Sequence, residues 1–68
     1  FLLDKKSNKI KIGNHVWIGS NVSILKGVEI ADNCIIAANS VVTKKFTENN
    51  CLIAGSPAKV IKQNIDWK

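Results

Sequence analysis

Aliphatic residues recur in this chain at every sixth position. From residue 12 onward, six successive positions of this series are Ile or Val: Ile12, Ile18, Ile24, Ile30, Ile36 and Val42. An α-helix does not use this period, because residues six apart lie on opposed faces at 3.6 residues per turn. Antiparallel hairpins would interrupt the count with turns of irregular length. The pattern therefore predicts a coil of short strands of equal length.

Three further columns, each a set of positions six residues apart, favour their own types of residue. The residue after each aliphatic position is mostly small: Gly13, Gly19, Leu25, Ala31, Ala37 and Thr43. A second column favours residues that tolerate a left-handed backbone and is predicted to form the corners: His15, Asn21, Gly27, Asn33, Asn39 and Lys45. The next column is apolar or small and should point inward: Val16, Val22, Val28, Cys34, Ser40 and Phe46. Each six residues thus predict one strand and one corner.

Three corners close a coil of 18 residues. We expect residues 12–29 to form one coil and residues 30–47 a second, which places Ile12 against Ile30 and Ile18 against Ile36. Backbone groups would then pair between coils rather than between neighbouring hairpin strands.

The repeat also divides the chain into segments. We expect residues 1–9 to end a loop leading into the β-helix, residues 10–54 to form its two to three coils, and residues 55–68 to form a C-terminal cap. The cap offers four apolar residues as a lid on the open core: Val60, Ile61, Ile65 and Trp67.

The amino-acid composition limits the kinds of partner that the chain is expected to bind. The 68 residues suffice for one small domain, with a formal charge of +5. All ten basic residues are Lys, which disfavours a nucleic-acid reader because such proteins use the planar fork of Arg. No apolar run approaches the roughly 20 residues of a membrane span, and Phe1–Leu3 is too short for a signal peptide. We therefore expect a cytoplasmic protein that binds neither nucleic acid nor membrane.

The cysteines and the histidine give no clear sign of a metal site or a catalytic site. Cys34 and Cys51 form no CxxC pair, so we expect two free, buried thiols and no metal site. His15, the only histidine, lies in the corner column, where His is common among left-handed residues. We interpret it as a conformational residue.

Two segments carry a family resemblance. HVWIGSNVSILKGVEIADNCIIAANSVVTKK and AGSPAKVIK resemble the C-terminal half of the hexapeptide-repeat O-acetyltransferases that act on galactosides, maltose and polysaccharides. The resemblance covers residues 10–62. It implies an all-β fold, a left-handed parallel β-helix. It also implies a homotrimer that transfers acetyl from acetyl-CoA to a sugar hydroxyl, with coenzyme A in the groove between subunits.

The resemblance assigns the donor site by position. Ser20 and Ala38 match residues that line the pantetheine groove, and they lie 18 apart, so the coil geometry also stacks them on one edge. Thr43 and Lys44 match the turn that meets the coenzyme.

Three more positions match family sites. Lys59 and Lys62 match basic residues that meet the adenosine phosphates, where Lys acts as a point charge rather than a fork. Trp17 matches a residue near the active site at the subunit interface, and its neighbour one coil later is Ile35. Interface packing and acceptor contact both remain open for Trp17.

No catalytic residue is assigned within the chain. In the resembled enzymes the base is a histidine in a protruding segment, and matching places it upstream of Phe1. The chain is therefore predicted to carry the acyl-donor half of a site and to be inactive alone. The alternative is a non-catalytic trimeric β-helix scaffold, which would trimerise without binding coenzyme A. A metal enzyme of this fold would need three His ligands, and the chain has one.

Overall fold

The computed structural model describes residues 9–67. Within that range the chain has strands and no helix, which makes it all-β as predicted. The strands are β1 (Lys11–Ile12), β2 (Trp17–Ile18), β3 (Ser23–Ile24), β4 (Glu29–Ile30), β5 (Ile35–Ile36), β6 (Val41–Val42), β7 (Leu52–Gly55) and β8 (Ala58–Lys62). The predicted leading loop, residues 1–9, lies outside the described residues except for Lys9.

Parallel pairing joins strands of successive coils into three sheets. β1 pairs with β4, β2 with β5, and β3 with β6. Ile12 lies opposite Ile30 and Ile18 opposite Ile36, so the predicted 18-residue register is confirmed. Backbone bonds continue beyond the short strands, for example from the Gly19 N–H to the Ile36 carbonyl at 2.8 Å.

The corners use the left-handed backbone that the column predicted. The positive φ angles are 56° at His15, 57° at Asn21, 80° at Gly27, 61° at Asn33 and 63° at Asn39. The corner predicted at Lys45 is wrong, because among the described residues Lys45 is not one of those with positive φ.

The repeat changes step at the third coil. Phe46 forms a parallel bridge to Ile30, two residues short of an 18-residue step. β7 then pairs with β5 so that Leu52 lies opposite Ile35, one residue short. Phe46 still points inward and is only 5% exposed. The shortened path replaces the sixth left-handed corner and lets the bulky ring fill the core.

The core lies inside the stacked coils. Its buried members come mainly from the two predicted inward columns and from β7: Ile24, Val28, Ile30, Cys34, Ile36, Val42, Phe46, Cys51, Ile53 and Ala58. First-coil residues such as Ile12 and Ile18 pack against this cluster while remaining partly exposed. Burial is therefore deepest in the second coil, which has neighbours on both sides.

The chain after β7 forms a hairpin. β8 runs antiparallel to β7, and a cis Ser56–Pro57 peptide bond lies in the turn. Ala58 is buried, whereas Val60 is 37% and Ile61 62% exposed. The prediction that Val60 and Ile61 cover the core is therefore wrong, because β8 extends the sheet through its backbone and leaves both side chains at the surface.

Ser40 is the one polar residue in its inward column and links two coils. It is 1% exposed, donates from Oγ to the Ala37 carbonyl at 2.8 Å, and accepts from the Gly55 N–H at 3.2 Å. We expect Ser40→Ala to lower the free energy of unfolding by about 1–3 kcal/mol, because it removes the acceptor of a partly buried N–H. Urea denaturation measures the change. Ser23→Ala, at an exposed position, is the control, and an equal loss in both variants would contradict this role.

Candidate functional site

Ser20 and Ala38 lie at the same corner of successive coils. The Asn39 N–H donates to the Ser20 carbonyl at 2.9 Å, which ties the two corners together. A Cβ on Gly19 would lie 2.7 Å from the Ala38 nitrogen, so the two backbones approach as closely as glycine allows. Both Ser20 and Ala38 are exposed. We call the corner formed by residues 19–20 and 38–39 the Ser20 edge.

Thr43 and Lys44 follow β6, the strand that leaves the Ser20 edge. Both residues are exposed, and the Lys44 Nζ lies 5.6 Å from the centre of the Phe46 ring. A shallow cavity of about 260 Å³ is lined by residues 44–48 together with Val60. The cavity brings Lys44 close to β8, although Ser20 and Ala38 do not line it.

Lys59 and Lys62 project from β8. Lys59 lies opposite Ala54 and Lys62 opposite Leu52 on β7, and both lysines are exposed. Lys45 lies near this region but pairs with Glu29 at 3.4 Å on the surface. Lys59 and Lys62 lie on β8, and Lys44 borders a cavity that Val60 of β8 also lines, so all three are exposed positive charges on or near β8.

Trp17 begins an outward apolar row. It is 54% exposed and lies opposite Ile35, which in turn lies opposite Leu52. The predicted pairing of Trp17 with Ile35 is confirmed. Large apolar side chains grouped on the surface of a small protein commonly mark a contact surface.

His15 is held by two contacts. In the tautomer that carries the proton on Nδ1, it donates to the Asn33 Oδ1 at 2.9 Å. Its ring stacks on Trp67 with the ring centres 4.0 Å apart and the planes 10° from parallel. Together with its left-handed φ, these contacts confirm the prediction that His15 is a corner residue.

The two cysteines are free and buried, as predicted. Burial raises the pKa of the Cys51 thiol, and the nearby Glu48 and Cys34 raise it further. A thiol with a raised pKa stays protonated at neutral pH, so Cys51 is poorly suited to act as a nucleophile.

Residues 9–67 contain no cluster of three or more His, Cys, Asp or Glu side chains arranged to hold a metal ion. The same part of the chain contains no helix long and apolar enough to cross a membrane.

A family model and one curated relative match the chain. The model for the bacterial transferase hexapeptide (six repeats) matches residues 9–44, which is more than half of the chain. An uncharacterized 24.8 kDa protein in the cps region of Klebsiella pneumoniae is 68% identical over 63 residues. The match covers 93% of this chain and 28% of that protein.

Solved structures of acetyltransferases share the fold. A galactoside acetyltransferase in complex with coenzyme A is 52% identical, with a TM-score of 0.76 over 79% of this chain and 26% of its own. A polysialic acid O-acetyltransferase is 44% identical, with a TM-score of 0.85 over 98% of this chain and 35% of its own. The chain thus spans only about a quarter to a third of the length of these proteins. The six-residue columns, the parallel register and the matching family model together show that the chain belongs to the bacterial transferase hexapeptide family.

Proposed function

We propose that this chain is the acyl-donor-binding part of a coenzyme A-dependent O-acetyltransferase acting on a sugar or polysaccharide hydroxyl. The observation that carries the proposal is the Ser20 edge, where two small exposed corners are stacked in register. The similarity to a galactoside acetyltransferase in complex with coenzyme A supports the same assignment.

The Ser20 edge suits the pantetheine arm of the donor. Ala38 has no side chain beyond Cβ and is exposed, so a ligand can approach the backbone there. Ser20 adds an exposed hydroxyl, which can donate to or accept from the amides of pantetheine. Thr43 and Lys44 would meet the coenzyme further along, after β6.

Lys59 and Lys62 are proposed to bind the phosphates of the donor. Because both side chains are exposed, each contributes modestly and in a salt-dependent way. The adenosine end would then lie at the third-coil end of the molecule and the thioester nearer to the first coil.

The transfer itself requires groups that this chain does not supply. The acceptor oxygen attacks the thioester carbonyl, an oxyanion forms, and the bond to sulfur breaks to release the coenzyme as its thiolate. Backbone N–H groups near Ser20 are proposed to stabilise the oxyanion. We propose that the base that takes the acceptor proton is a histidine outside these 68 residues, and that the chain alone is inactive.

The proposed site also requires assembly. We propose a left-handed β-helix that forms a homotrimer in the cytoplasm, with the coenzyme lying between subunits. Trp17 and Ile35 would supply an apolar contact surface between subunits, and contact with the acceptor is the alternative role for Trp17. Analytical ultracentrifugation is expected to give three times the 7.5 kDa chain mass. A stable monomer at micromolar concentration would contradict the trimer.

The double variant Lys59→Ala/Lys62→Ala tests the phosphate contacts. We expect it to lower affinity for acetyl-CoA roughly tenfold at low salt and less at high salt, because two screened charge contacts are lost. Isothermal titration calorimetry measures the affinity. Lys11→Ala, on the β1–β4 sheet, is the control and should leave it unchanged.

The same titration separates the enzyme from the scaffold. A trimer that gives no heat with acetyl-CoA would favour a non-catalytic β-helix scaffold. If the double variant and the parent bind acetyl-CoA with equal affinity, the chain binds the coenzyme but Lys59 and Lys62 are not part of the site.

A further inference from the structure

Leu25 is a large side chain in a column of small ones. The other residues that follow the inward aliphatic positions are Gly13, Gly19, Ala31, Ala37 and Thr43. Leu25 is 46% exposed and is not one of the residues that form the buried core or pack against it. The packing inside the coils therefore gives no reason for a large apolar side chain at this position.

The backbone fixes the place from which Leu25 projects. Its N–H donates to the Val42 carbonyl at 3.0 Å, and its carbonyl accepts from the Val28 N–H at 3.3 Å. Gly27, with a φ of 80°, makes the turn between Leu25 and Val28. Leu25 is thus an apolar side chain held at a corner of the first coil, directly after β3.

The coil register places Leu25 and Thr43 at one corner. β3 and β6 are paired in parallel register, so the residues that follow them, Leu25 and Thr43, occupy the same corner of successive coils. Both side chains are exposed. We call the corner formed by residues 25–26 and 43–44 the Leu25 edge.

The chemistry of the surface changes from the Leu25 edge toward β8. Leu25 in the first coil is apolar, whereas Thr43 and Lys44 in the second coil supply a hydroxyl and an ammonium group. Lys44 borders a cavity shared with β8, the last strand of the four-stranded sheet, which carries the exposed Lys59 and Lys62. Coenzyme A has the same order, because its pantetheine arm is rich in alkyl groups and its phosphates lie toward the adenosine.

We propose that Leu25 packs against the methylene and gem-dimethyl groups of the pantetheine arm, as an apolar contact of the donor site. This inference rests on the proposed function, which assigns Thr43 and Lys44 to the coenzyme. Contact between Leu25 and these alkyl groups removes apolar surface of both from water. The hydroxyl of Ser20 and the lysines of β8 do not provide such a contact.

Leu25 and Ser20 would border the arm from different subunits. β3 lies between the two residues, and roughly 15 Å of extended chain separates them. One chain therefore does not enclose a narrow ligand arm between them. In the proposed trimer the coenzyme lies between subunits, so that the Ser20 edge of one subunit and the Leu25 edge of the next form the two walls of the groove.

Titration with two ligands tests this contact. Isothermal titration calorimetry compares acetyl-CoA with adenosine 3′,5′-bisphosphate, which has adenosine phosphates and lacks the pantetheine arm. We expect Leu25→Ala to lower affinity for acetyl-CoA about fivefold and to leave affinity for the bisphosphate unchanged. Leu25→Met keeps a similar apolar volume and should bind acetyl-CoA within about twofold of the parent. The double variant Lys59→Ala/Lys62→Ala should instead weaken the binding of both ligands.

Ionic strength and sedimentation separate the ligand contact from other roles. The loss in Leu25→Ala should persist at high salt, whereas the loss in the lysine double variant should shrink. The sedimentation and thermal melt of Leu25→Ala should match those of the parent. A Leu25→Ala variant that no longer forms the trimer would overturn the ligand contact, because it would show that Leu25 packs against the neighbouring subunit.

The remaining outcomes distinguish this inference from the proposed function. If the parent and Leu25→Ala bind acetyl-CoA equally well, Leu25 is not part of the site and the proposed function stands. An equal loss of affinity for both ligands would also overturn the contact, because the pantetheine arm would not be what Leu25 meets. A parent that binds neither ligand would overturn the proposed function and this inference together.

Discussion

Ala38→Trp is expected to lower affinity for coenzyme A by at least about a hundredfold, which corresponds to about 2.7 kcal/mol. Ala38 is exposed on the Ser20 edge, where the proposed pantetheine path runs closest to the backbone. An indole at this position would occupy the path itself, so the ligand would lose its contacts with both stacked corners. Isothermal titration calorimetry with acetyl-CoA measures the loss.

The control must separate a blocked site from a damaged fold. Lys11→Trp places the same ring at an exposed position of the β1–β4 sheet, and we expect parent-like affinity there. Circular dichroism should show that both variants melt like the parent. Parent-like binding by a folded Ala38→Trp variant would place the coenzyme elsewhere on the molecule.

Gly19→Val is expected to remove most of the stability of the fold, lowering the free energy of unfolding by about 3 kcal/mol or more. A Cβ on Gly19 would lie 2.7 Å from the nitrogen and 3.0 Å from the Cα of Ala38, both of which are backbone atoms that cannot rotate away. Gly19 also cannot retreat, because its N–H bonds to the Ile36 carbonyl at 2.8 Å. Overpacking of this kind costs about 1–3 kcal/mol or more, and a domain of this size has only about 3–5 kcal/mol in total.

Two further substitutions provide reference values for the loss of stability in Gly19→Val. Gly19→Ala should give an intermediate loss of stability, because it adds the Cβ alone. Leu25→Ala is the matched control, since Leu25 occupies the same column and is 46% exposed. It should change the free energy of unfolding by less than about 1 kcal/mol. Thermal melts followed by circular dichroism rank the three variants, and a parent-like Gly19→Val melt would refute the close approach.

Ser40, the one polar residue of its inward column, makes a contact that the six-residue repeat did not predict. Ser40 stands in an inward column of Val, Cys and Phe, and its hydroxyl joins Ala37 to Gly55. A lone hydroxyl at a buried position needs partners, so the exception itself was the available signal. Its partner Gly55 could not be named, because no periodic rule connects residue 40 to the hairpin.

The sequence by itself determined the repeating part of the molecule. The period of six placed Ile12 opposite Ile30, set the left-handed corners from His15 to Asn39, and stacked Ser20 with Ala38. These features are predictable because each is a local choice repeated at a fixed spacing: an aliphatic side chain inward, and Asn, Gly or His where φ is positive. The roles of Ser20, Ala38 and the lysines in binding coenzyme A remain predictions from family resemblance.

Only the tertiary structure decided what happens where the repeat ends. The step is shorter at Phe46, which bridges to Ile30 and is buried in the core, and Lys45 forms no left-handed corner. β8 pairs with β7 at the edge of its sheet, and Val60 and Ile61 remain exposed there. Trp67 stacks on His15, which is far from it in the sequence, rather than covering the core. Such contacts join residues with no common period, so their energies depend on a geometry that exists only after the coils have stacked.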